Sequence, residues 1–228
     1  MSEQGRRWLI VNGDDFGISP GVNHGIVNAH RLGILTSTSL MVDRPAAGDA
    51  AIRAREVERL SVGLHLELEG AAGDDPRAAV EGQLERFHEL MGRPPTHIDS
   101  HHDRHRDPEI LPHVLQAAQR LDIPVRGHSP VRCHTRFYAQ WGGETHLEGV
   151  SVETLLGVLK REMTDGVTEL ICHPGYTDEG IDSSYVHERQ AELETLLHPR
   201  VRQTLWEERI ELLGFRSLPA VLAVDRTA

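Results

Sequence analysis

Short apolar runs alternate along the chain with longer stretches in which apolar residues recur every three to four positions. The first run, residues 8–11, stops at the polar sequence Asn-Gly-Asp-Asp of residues 12–15. Runs of this length predict buried strands, and the longer stretches predict amphipathic helices. The predicted strands are residues 8–11, 34–42, 60–68, 96–100, 123–126, 167–172 and 210–215.

The helices predicted between these strands have recognisable ends. Ser19 followed by Pro20 is typical of a helix start, and Gly33 is typical of the end of the same helix. The other predicted helices are residues 46–58, 77–91, 108–121, 151–164, 183–197 and 201–209. Residues 70–76 are expected to form a loop, and the irregular residues 129–149 a long loop or insertion.

This alternation of strands and helices predicts right-handed crossovers and a parallel sheet. About seven strand–helix units in 228 residues are slightly fewer than the eight of a full barrel, which takes about 250 residues. We therefore expect an α/β fold of about seven parallel strands, a distorted or incomplete (β/α) barrel, with an open doubly wound sheet as the alternative. Residues 1–228 are expected to form a single domain that carries the insertion at 129–149.

Composition and charge narrow the class of protein. The chain has 24 Lys and Arg against 35 Asp and Glu, a formal net charge of −11, which argues against nucleic acid or an anionic membrane as a partner. Two cysteines cannot form a disulfide framework, and the apolar run near the N-terminus is too short for a signal peptide. We therefore expect a cytoplasmic protein, with a homodimer as the default assembly.

Histidine is unusually frequent, with 15 residues against 10 Phe, Trp and Tyr together. Several His and Asp residues follow predicted strands, and the carboxyl ends of parallel strands meet at one edge of the sheet. These strand-end residues are Asp14, Asp15, His65, His101, His102, Arg126 and His173. Two histidines and one carboxylate suit a divalent metal that polarises a carbonyl and activates water, leaving a second carboxylate as base and another histidine as acid.

Five sequence motifs carry a family resemblance. They are residues 11–19 (VNGDDFGIS), 36–38 (TST), 63–65 (GLH), 96–102 (THIDSHH) and 172–174 (CHP). Together, in this order, they resemble the YdjC-like carbohydrate deacetylases, a family that includes chitooligosaccharide deacetylases and proteins associated with hopanoid biosynthesis. The resemblance covers nearly the whole chain.

The resemblance implies a fold, a ligand set and a reaction. The fold is a distorted (β/α) barrel related to the NodB-type polysaccharide deacetylases. The ligands of one divalent metal ion, Mg or Zn being expected, correspond to Asp15, His65 and His101, while Asp14 corresponds to the general base and His173 to the general acid. The implied reaction is hydrolysis of the N-acetyl group of an acetamido sugar, which releases acetate and the free amine.

Three further residues are candidates for contact with a small carbohydrate substrate. Arg126 is a candidate for the oxyanion or sugar hydroxyls, with a structural salt bridge as the alternative. Trp141 is a candidate for stacking on a pyranose ring, with an anchor for the irregular segment as the alternative. His102 belongs to the histidine-rich loop, where Asp103 and Arg104 depart from the longer histidine run of the family and bear on substrate choice.

Two other functions remain open from the residues alone. The first is a metal-dependent phosphoesterase on a similar barrel, for which His102, Asp103 and His105 would supply a second metal. The second is a metal-binding protein without catalytic activity. Asp14 and His173 argue against the second alternative, because metal binding alone requires neither of them.

Overall fold

The structure is a computed structural model that describes residues 5–69, 75–178, 181 and 183–225. The strands in these ranges are β1 (Arg7–Phe16), β2 (Ser37–Leu40), β3 (Ser61–Leu66), β4 (Ile98–Ser100), β5 (Arg132–His134), β6 (Gln140–Trp141), β7 (Glu144–Thr145), β8 (Gly166–Cys172) and β9 (Ile210–Leu212). The α-helices are α1 (Pro20–Leu32), α2 (Ala47–Arg55), α3 (Pro76–Met91), α4 (Leu111–Leu121), α5 (Val152–Arg161), α6 (His187–Leu197), α7 (Pro199–Glu207) and α8 (Leu218–Asp225). Short 3-10 helices cover His101–Arg106, Leu147–Val150 and Phe215–Ser217. Among the described residues, no helix combines the length and apolar character that a membrane crossing requires.

The main sheet is parallel throughout and has seven strands. Their order is β4-β3-β2-β1-β8-β5, and β9 pairs with the beginning of β1. The central strand β1 is the longest, with ten residues. The strands β6 and β7 form a separate antiparallel hairpin. The α/β fold with a parallel sheet is therefore confirmed.

The sheet is curled rather than flat, as the connection after β4 indicates. Val125 forms a single parallel bridge to Ile98 of β4, at one edge of the sheet. Only seven residues later in the chain, Arg132 begins β5 at the opposite edge. Seven residues reach at most about 25 Å, whereas six flat strand spacings cover about 29 Å. The two edges must therefore curve towards each other, which is the incomplete barrel expected from the sequence.

One strand lies at a different place from the prediction. Residues 123–126 do not form a strand, and only Val125 bridges to β4, because Pro124 lacks an amide hydrogen and Gly127 turns the chain away with a φ of 73°. The strand that completes the sheet is instead β5, within the segment 129–149 expected to be irregular. Its sequence, Arg-Cys-His, has no apolar alternation that could have revealed it.

Two predicted helix starts have the expected geometry. The Ser19 side chain accepts a hydrogen bond from the amide of Val22, and Pro20 occupies the first turn of α1. Ser151 accepts a hydrogen bond from the amide of Thr154 at the start of α5. Both helices thus begin where a side-chain oxygen can satisfy an otherwise unpaired amide.

The barrel interior is apolar at one end and polar at the other. Alternate side chains of a strand share a face, and Trp8 and Ile10 of β1 pack with Val131, Val167 and Phe215 in a small apolar cluster. Further along the same face of β1 come Asn12 and Asp14, both buried. The opposite face of β1 packs in the main core. The carboxyl ends of the strands therefore hold the polar groups.

Candidate metal and catalytic site

Residues from four separate strand ends converge on one cavity. Asp14 and Asp15 lie at the end of β1, and His65 lies near the end of β3. His101 begins the 3-10 helix after β4, and His173 follows β8. All five line a cavity of about 710 Å³, a volume typical of small-molecule sites.

A local break in β1 lets two consecutive carboxylates face this cavity. In a regular strand, Asp14 and Asp15 would point to opposite faces of the sheet. The register between β1 and β2 shifts between Gly13 and Phe16, and Asp15 has a φ of 65°. A non-glycine residue in this left-handed region is strained, and such strain is concentrated at functional sites. The irregularity therefore brings both side chains to one site.

Asp15, His65 and His101 form a group with the donor atoms of a metal site. Oδ1 of Asp15 lies 3.3 Å from Nε2 of His65 and 3.4 Å from Nδ1 of His101. This oxygen is buried, and no donor among the described residues meets it with hydrogen-bond geometry. One carboxylate and two imidazoles suit a divalent ion that keeps open positions. The residues present therefore fit a divalent metal.

Two further side chains orient these candidate ligands. Nδ1 of His65 lies 2.7 Å from Oδ1 of Asp99, which leaves Nε2 of His65 facing the other two candidate ligands, Asp15 and His101. Oδ2 of Asp15 accepts a hydrogen bond from Arg189 at 2.6 Å, so Oδ1 remains towards the cavity. Burial alone would lower the pKa of His65, but Asp99, Asp15 and Asp14 raise it well above its usual value. The carboxylates around His65 thus favour a positive charge at this position, as a proton or as a metal ion.

Arg126 lies at the buried floor of the cavity, in a cluster of carboxylates. Its guanidinium meets both oxygens of Asp14 at 2.7 and 2.8 Å, Asp99 at 2.7 Å and Glu169 at 2.8 Å. Its side chain is only 2% exposed. The structural salt bridge, given as the alternative, is thus present, and contact of Arg126 with the oxyanion or with sugar hydroxyls stays a prediction.

Asp14 is held as a carboxylate by this arrangement. Burial raises its pKa, but the charge and hydrogen bonds of Arg126, together with the charge of His65, outweigh burial, and the net pKa is lowered from its ordinary value. Asn12 adds a hydrogen bond to Oδ1 at 2.8 Å. The group is thus ionised at neutral pH, in the state that a base requires.

His173 lies between aromatic rings and a buried glutamate. Its backbone amide donates to Glu192, and its Nδ1 lies 3.9 Å from Oε1 of the same residue. The rings of Tyr138 and Tyr185 lie 5.8 and 5.4 Å from the imidazole, measured between centroids. Burial lowers the pKa of His173 and raises that of Glu192 to about 8. An imidazolium formed here would release its proton readily.

His102 and Trp141 lie at the periphery. The His102 side chain is 71% exposed at the cavity mouth, with Nδ1 3.2 Å from Glu69. Trp141 lies in β6, outside the cavity lining, where its ring stacks on His146 at 3.9 Å between centroids and remains 49% exposed. The contact of Trp141 with a pyranose ring thus stays a prediction.

Sequence reasoning missed three residues that shape the site: Arg189, Glu192 and Tyr185. They come from α6 and the residue two before it, and all three are buried. Their only signal in the sequence is that Arg189 and Glu192 recur at helical spacing with Leu193 and Leu196, on a face that a helix normally makes apolar. Nothing local identifies their partners.

The fold and site together define a class of protein. A family 4 carbohydrate esterase from Streptomyces lividans, solved in complex with acetate, aligns with a TM-score of 0.57 at 11% identity over 90% of this chain and 91% of that one. This likeness shows the fold alone. A proposed cellobiose-phosphate cleavage protein from Enterococcus faecalis aligns with a TM-score of 0.78 at 26% identity over 94% of this chain and 99% of that one. The architecture is that of the carbohydrate esterase and deacetylase barrels.

The sequence places the chain more narrowly. The model of the YdjC-like protein family matches residues 8–79 and 69–207. A carbohydrate deacetylase from Geobacillus stearothermophilus is 34% identical over 92% of this chain and 97% of that protein. A chitooligosaccharide deacetylase from Serratia marcescens is 32% identical over 92% of this chain and 98% of that protein. The chain belongs to the YdjC-like family of carbohydrate deacetylases, as the resemblance of its motifs indicated.

Proposed function

We propose that this protein is a metal-dependent hydrolase that removes the N-acetyl group from an acetamido sugar of the N-acetylglucosamine type. The observation that carries the proposal is that one cavity combines residues able to hold a metal ion with a second, ionised carboxylate and a histidine. The curated relatives named carbohydrate deacetylase and chitooligosaccharide deacetylase support the class of substrate.

The side chains of the site have two roles: three would hold the metal ion, and the others transfer protons. Asp15 Oδ1, His65 Nε2 and His101 Nδ1 would hold the divalent ion, with magnesium or zinc expected. When bound, such an ion supplies Lewis acidity to the amide carbonyl and lowers the pKa of water. Asp14 takes a proton from the attacking water, because Arg126 keeps it ionised.

His173 completes the reaction by donating a proton to the leaving amine. Amide cleavage needs this step because an amine anion is a very poor leaving group. Burial lowers the pKa of His173, so its protonated form is a stronger acid than a solvated imidazolium. The ring of Tyr185, 5.4 Å away between centroids, limits the orientations that the imidazole can take.

The alternative function, a metal-dependent phosphoesterase, has less support than the deacetylase. Of the three residues considered for a second metal, His105 uses both ring nitrogens, Nδ1 with Ser100 at 2.7 Å and Nε2 with the carbonyl of Arg126 at 3.1 Å. Asp103 pairs with Arg106 at 3.6 Å. These contacts favour a structural role for the loop, so we do not propose a two-metal phosphoesterase.

The test measures acetate release from N-acetylglucosamine and short chitooligosaccharides. Protein stripped with a chelator is assayed alone and after separate addition of Mg²⁺, Zn²⁺, Mn²⁺, Co²⁺ and Ni²⁺. We expect no acetate from the stripped protein and metal-dependent acetate afterwards. Absence of acetate with every metal and every sugar would contradict the proposal.

The variant Asp14→Asn separates catalysis from metal binding. We expect it to bind the divalent ion, measured by calorimetry, while turnover falls by at least about 100-fold, the lower range for loss of a general base. Asp43→Asn is the matched control, because Asp43 pairs with Arg86 on the exposed surface. Turnover retained by Asp14→Asn would refute the role of Asp14 as base.

A further inference from the structure

The cavity has two chemically different walls on opposite sides of the central strand β1. Glu67, Glu69 and His102 come from the β3 and β4 side of the sheet. Tyr138 and Tyr185 come from segments that follow β5 and β8, on the other side. A sugar ring also has two kinds of surface, hydroxyl groups around its rim and C–H groups on its faces, and aromatic side chains bind C–H faces. The aromatic wall is therefore where a sugar face is expected to lie.

Tyr138 is the exposed member of this aromatic wall. Its neighbours Phe137 and Ala139 are 1% and 0% exposed, whereas Tyr138 is 37% exposed and lines the cavity. The buried neighbours anchor the backbone on both sides of Tyr138, while the Tyr138 side chain itself remains accessible. An exposed aromatic side chain needs no explanation by itself, but one that lines the cavity beside the reacting groups is placed to contact a ligand there.

The ring of Tyr138 is also held in place. It stacks on Tyr185 with 4.9 Å between centroids and 7° between planes. The Tyr185 hydroxyl donates to Glu192 at 2.5 Å and accepts from the amide of Ala139 at 3.1 Å. Because Tyr185 is fixed at its hydroxyl and covers one side of Tyr138, the accessible part of the Tyr138 ring keeps a defined orientation. A preorganised ring loses little entropy when a ligand stacks on it.

The distance to His173 places this ring next to the proposed chemistry. The centroid of Tyr138 lies 5.8 Å from that of the imidazole, and the rings meet edge to face. A sugar that rests on Tyr138 would thus have its nitrogen substituent close to the group proposed to protonate the amine. We propose that Tyr138 is the platform on which the pyranose ring of the acetamido sugar stacks. This inference rests on the proposed function and adds the residue that recognises the sugar ring.

The kinetic test compares Tyr138→Ala, Tyr138→Phe and Trp206→Ala on N-acetylglucosamine and chitobiose. Trp206 is the control because it is an exposed aromatic residue of α7 that does not line this cavity. We expect Tyr138→Ala to raise KM about tenfold with kcat within about threefold, because stacking contributes equally to ground and transition states. Tyr138→Phe and Trp206→Ala should both stay within about twofold of the wild type.

A binding measurement supplies a readout that does not depend on turnover. The metal-loaded Asp14→Asn protein and the double variant Asp14→Asn/Tyr138→Ala are titrated with chitobiose by calorimetry. The second substitution should weaken binding about tenfold. Thermal unfolding of Tyr138→Ala checks that the fold persists, and Tyr138→Phe, which keeps the ring, tests the inference if the alanine variant is unstable.

The possible failures are distinguishable. If the wild type releases acetate and Tyr138→Ala keeps its KM, the platform is refuted while the proposed function stands. If Tyr138→Phe loses as much binding as Tyr138→Ala, the hydroxyl rather than the ring face is the recognition element, and the inference is also wrong. If the wild type releases no acetate, the proposed function fails, and chitobiose binding that Tyr138→Ala leaves unchanged would refute the platform as well.

Discussion

Replacing Arg126 with methionine tests whether the ion cluster at the cavity floor is organised as the structure indicates. Arg126 is the guanidinium that contacts Asp14, Asp99 and Glu169 together. Methionine has a similar length and no charge, so Arg126→Met leaves three buried carboxylates without this cation. Removing one partner of a buried ion pair costs about 3–5 kcal/mol, because the remaining charge has lost its compensation.

The loss of stability caused by Arg126→Met should depend on pH and should be larger at neutral than at acidic pH. Arg126 lowers the pKa of Asp14 and of Asp99 in the folded protein, so their ionisation stabilises the wild type above about pH 4. Without Arg126 these carboxylates take up protons at higher pH in the folded state. The difference in unfolding free energy between wild type and variant should therefore be largest near pH 7 and shrink as the pH falls towards 4.

The assay is urea unfolding of the chelator-stripped proteins at pH 7 and pH 4.5, which removes the contribution of bound metal. With a slope of about 3 kcal/mol per M, a loss of 4 kcal/mol lowers the midpoint by about 1.3 M. Glu169→Gln is the control, because burial already raises the pKa of Glu169 and a glutamine oxygen can still accept from Arg126. We expect it to change stability by less than about 1 kcal/mol.

Two outcomes would refute this reasoning. One is a midpoint shift for Arg126→Met below about 0.3 M at pH 7, which corresponds to less than 1 kcal/mol. The other is a shift of equal size at both pH values, since protonation of the unpaired carboxylates must relieve the penalty. The double variant Arg126→Met/Glu169→Gln should lose less stability than Arg126→Met, because one carboxylate fewer is left unpaired.

The remaining predictions concern the metal group, a buried histidine and two glycines. Asp99→Asn should weaken Zn²⁺ binding about 10–100-fold in competition with a chelating dye, because this carboxylate orients a candidate ligand; unchanged affinity would contradict it. Burial lowers the pKa of His97 to about 4, below its unfolded value, so the folded protein should lose about 2 kcal/mol between pH 8 and pH 5 from this group; His97→Gln should abolish that part of the loss in urea unfolding. Gly25→Ala should lower Tm, since an added Cβ would lie 2.6 Å from the Gly175 Cα. At Gly82 an added Cβ would have nothing within 4 Å, so Gly82→Ala should stabilise the protein by about 1 kcal/mol. Equal effects of the two substitutions on Tm would refute the contact.

The positions of these candidate site residues were predictable, because the polarity of parallel strands determines which strand ends meet. Asp15, His65, His101 and His173 each follow an apolar run, and parallel pairing brings those ends to one cavity. The same logic failed for the strand at 123–126, where Pro124 and the turn at Gly127 prevent a ladder. A strand needs several consecutive hydrogen bonds, and apolar composition by itself does not guarantee them.

The sequence pattern could not predict which way side chains point or which distant residues form ion pairs. Trp141 was predicted as a stacking residue because it is an aromatic side chain in an irregular segment, but the pattern could not reveal that Tyr138 of the same segment lines the cavity. Arg189 lies 174 positions from Asp15, its partner. No local pattern encodes such a distant contact, and a buried arginine can be recognised only when its carboxylate is known.

The charge balance of the buried network links the fold to the proposed metal. Ion pairs join four carboxylates, Asp14, Asp15, Asp99 and Glu169, with two guanidiniums, Arg126 and Arg189. Full ionisation of all four would leave two uncompensated negative charges. The pKa values of His65 and Glu169 are both raised, and proton uptake by these groups would relieve part of this excess. A divalent ion at Asp15 would carry the compensating charge directly, so metal binding should release protons and stabilise the fold in one event.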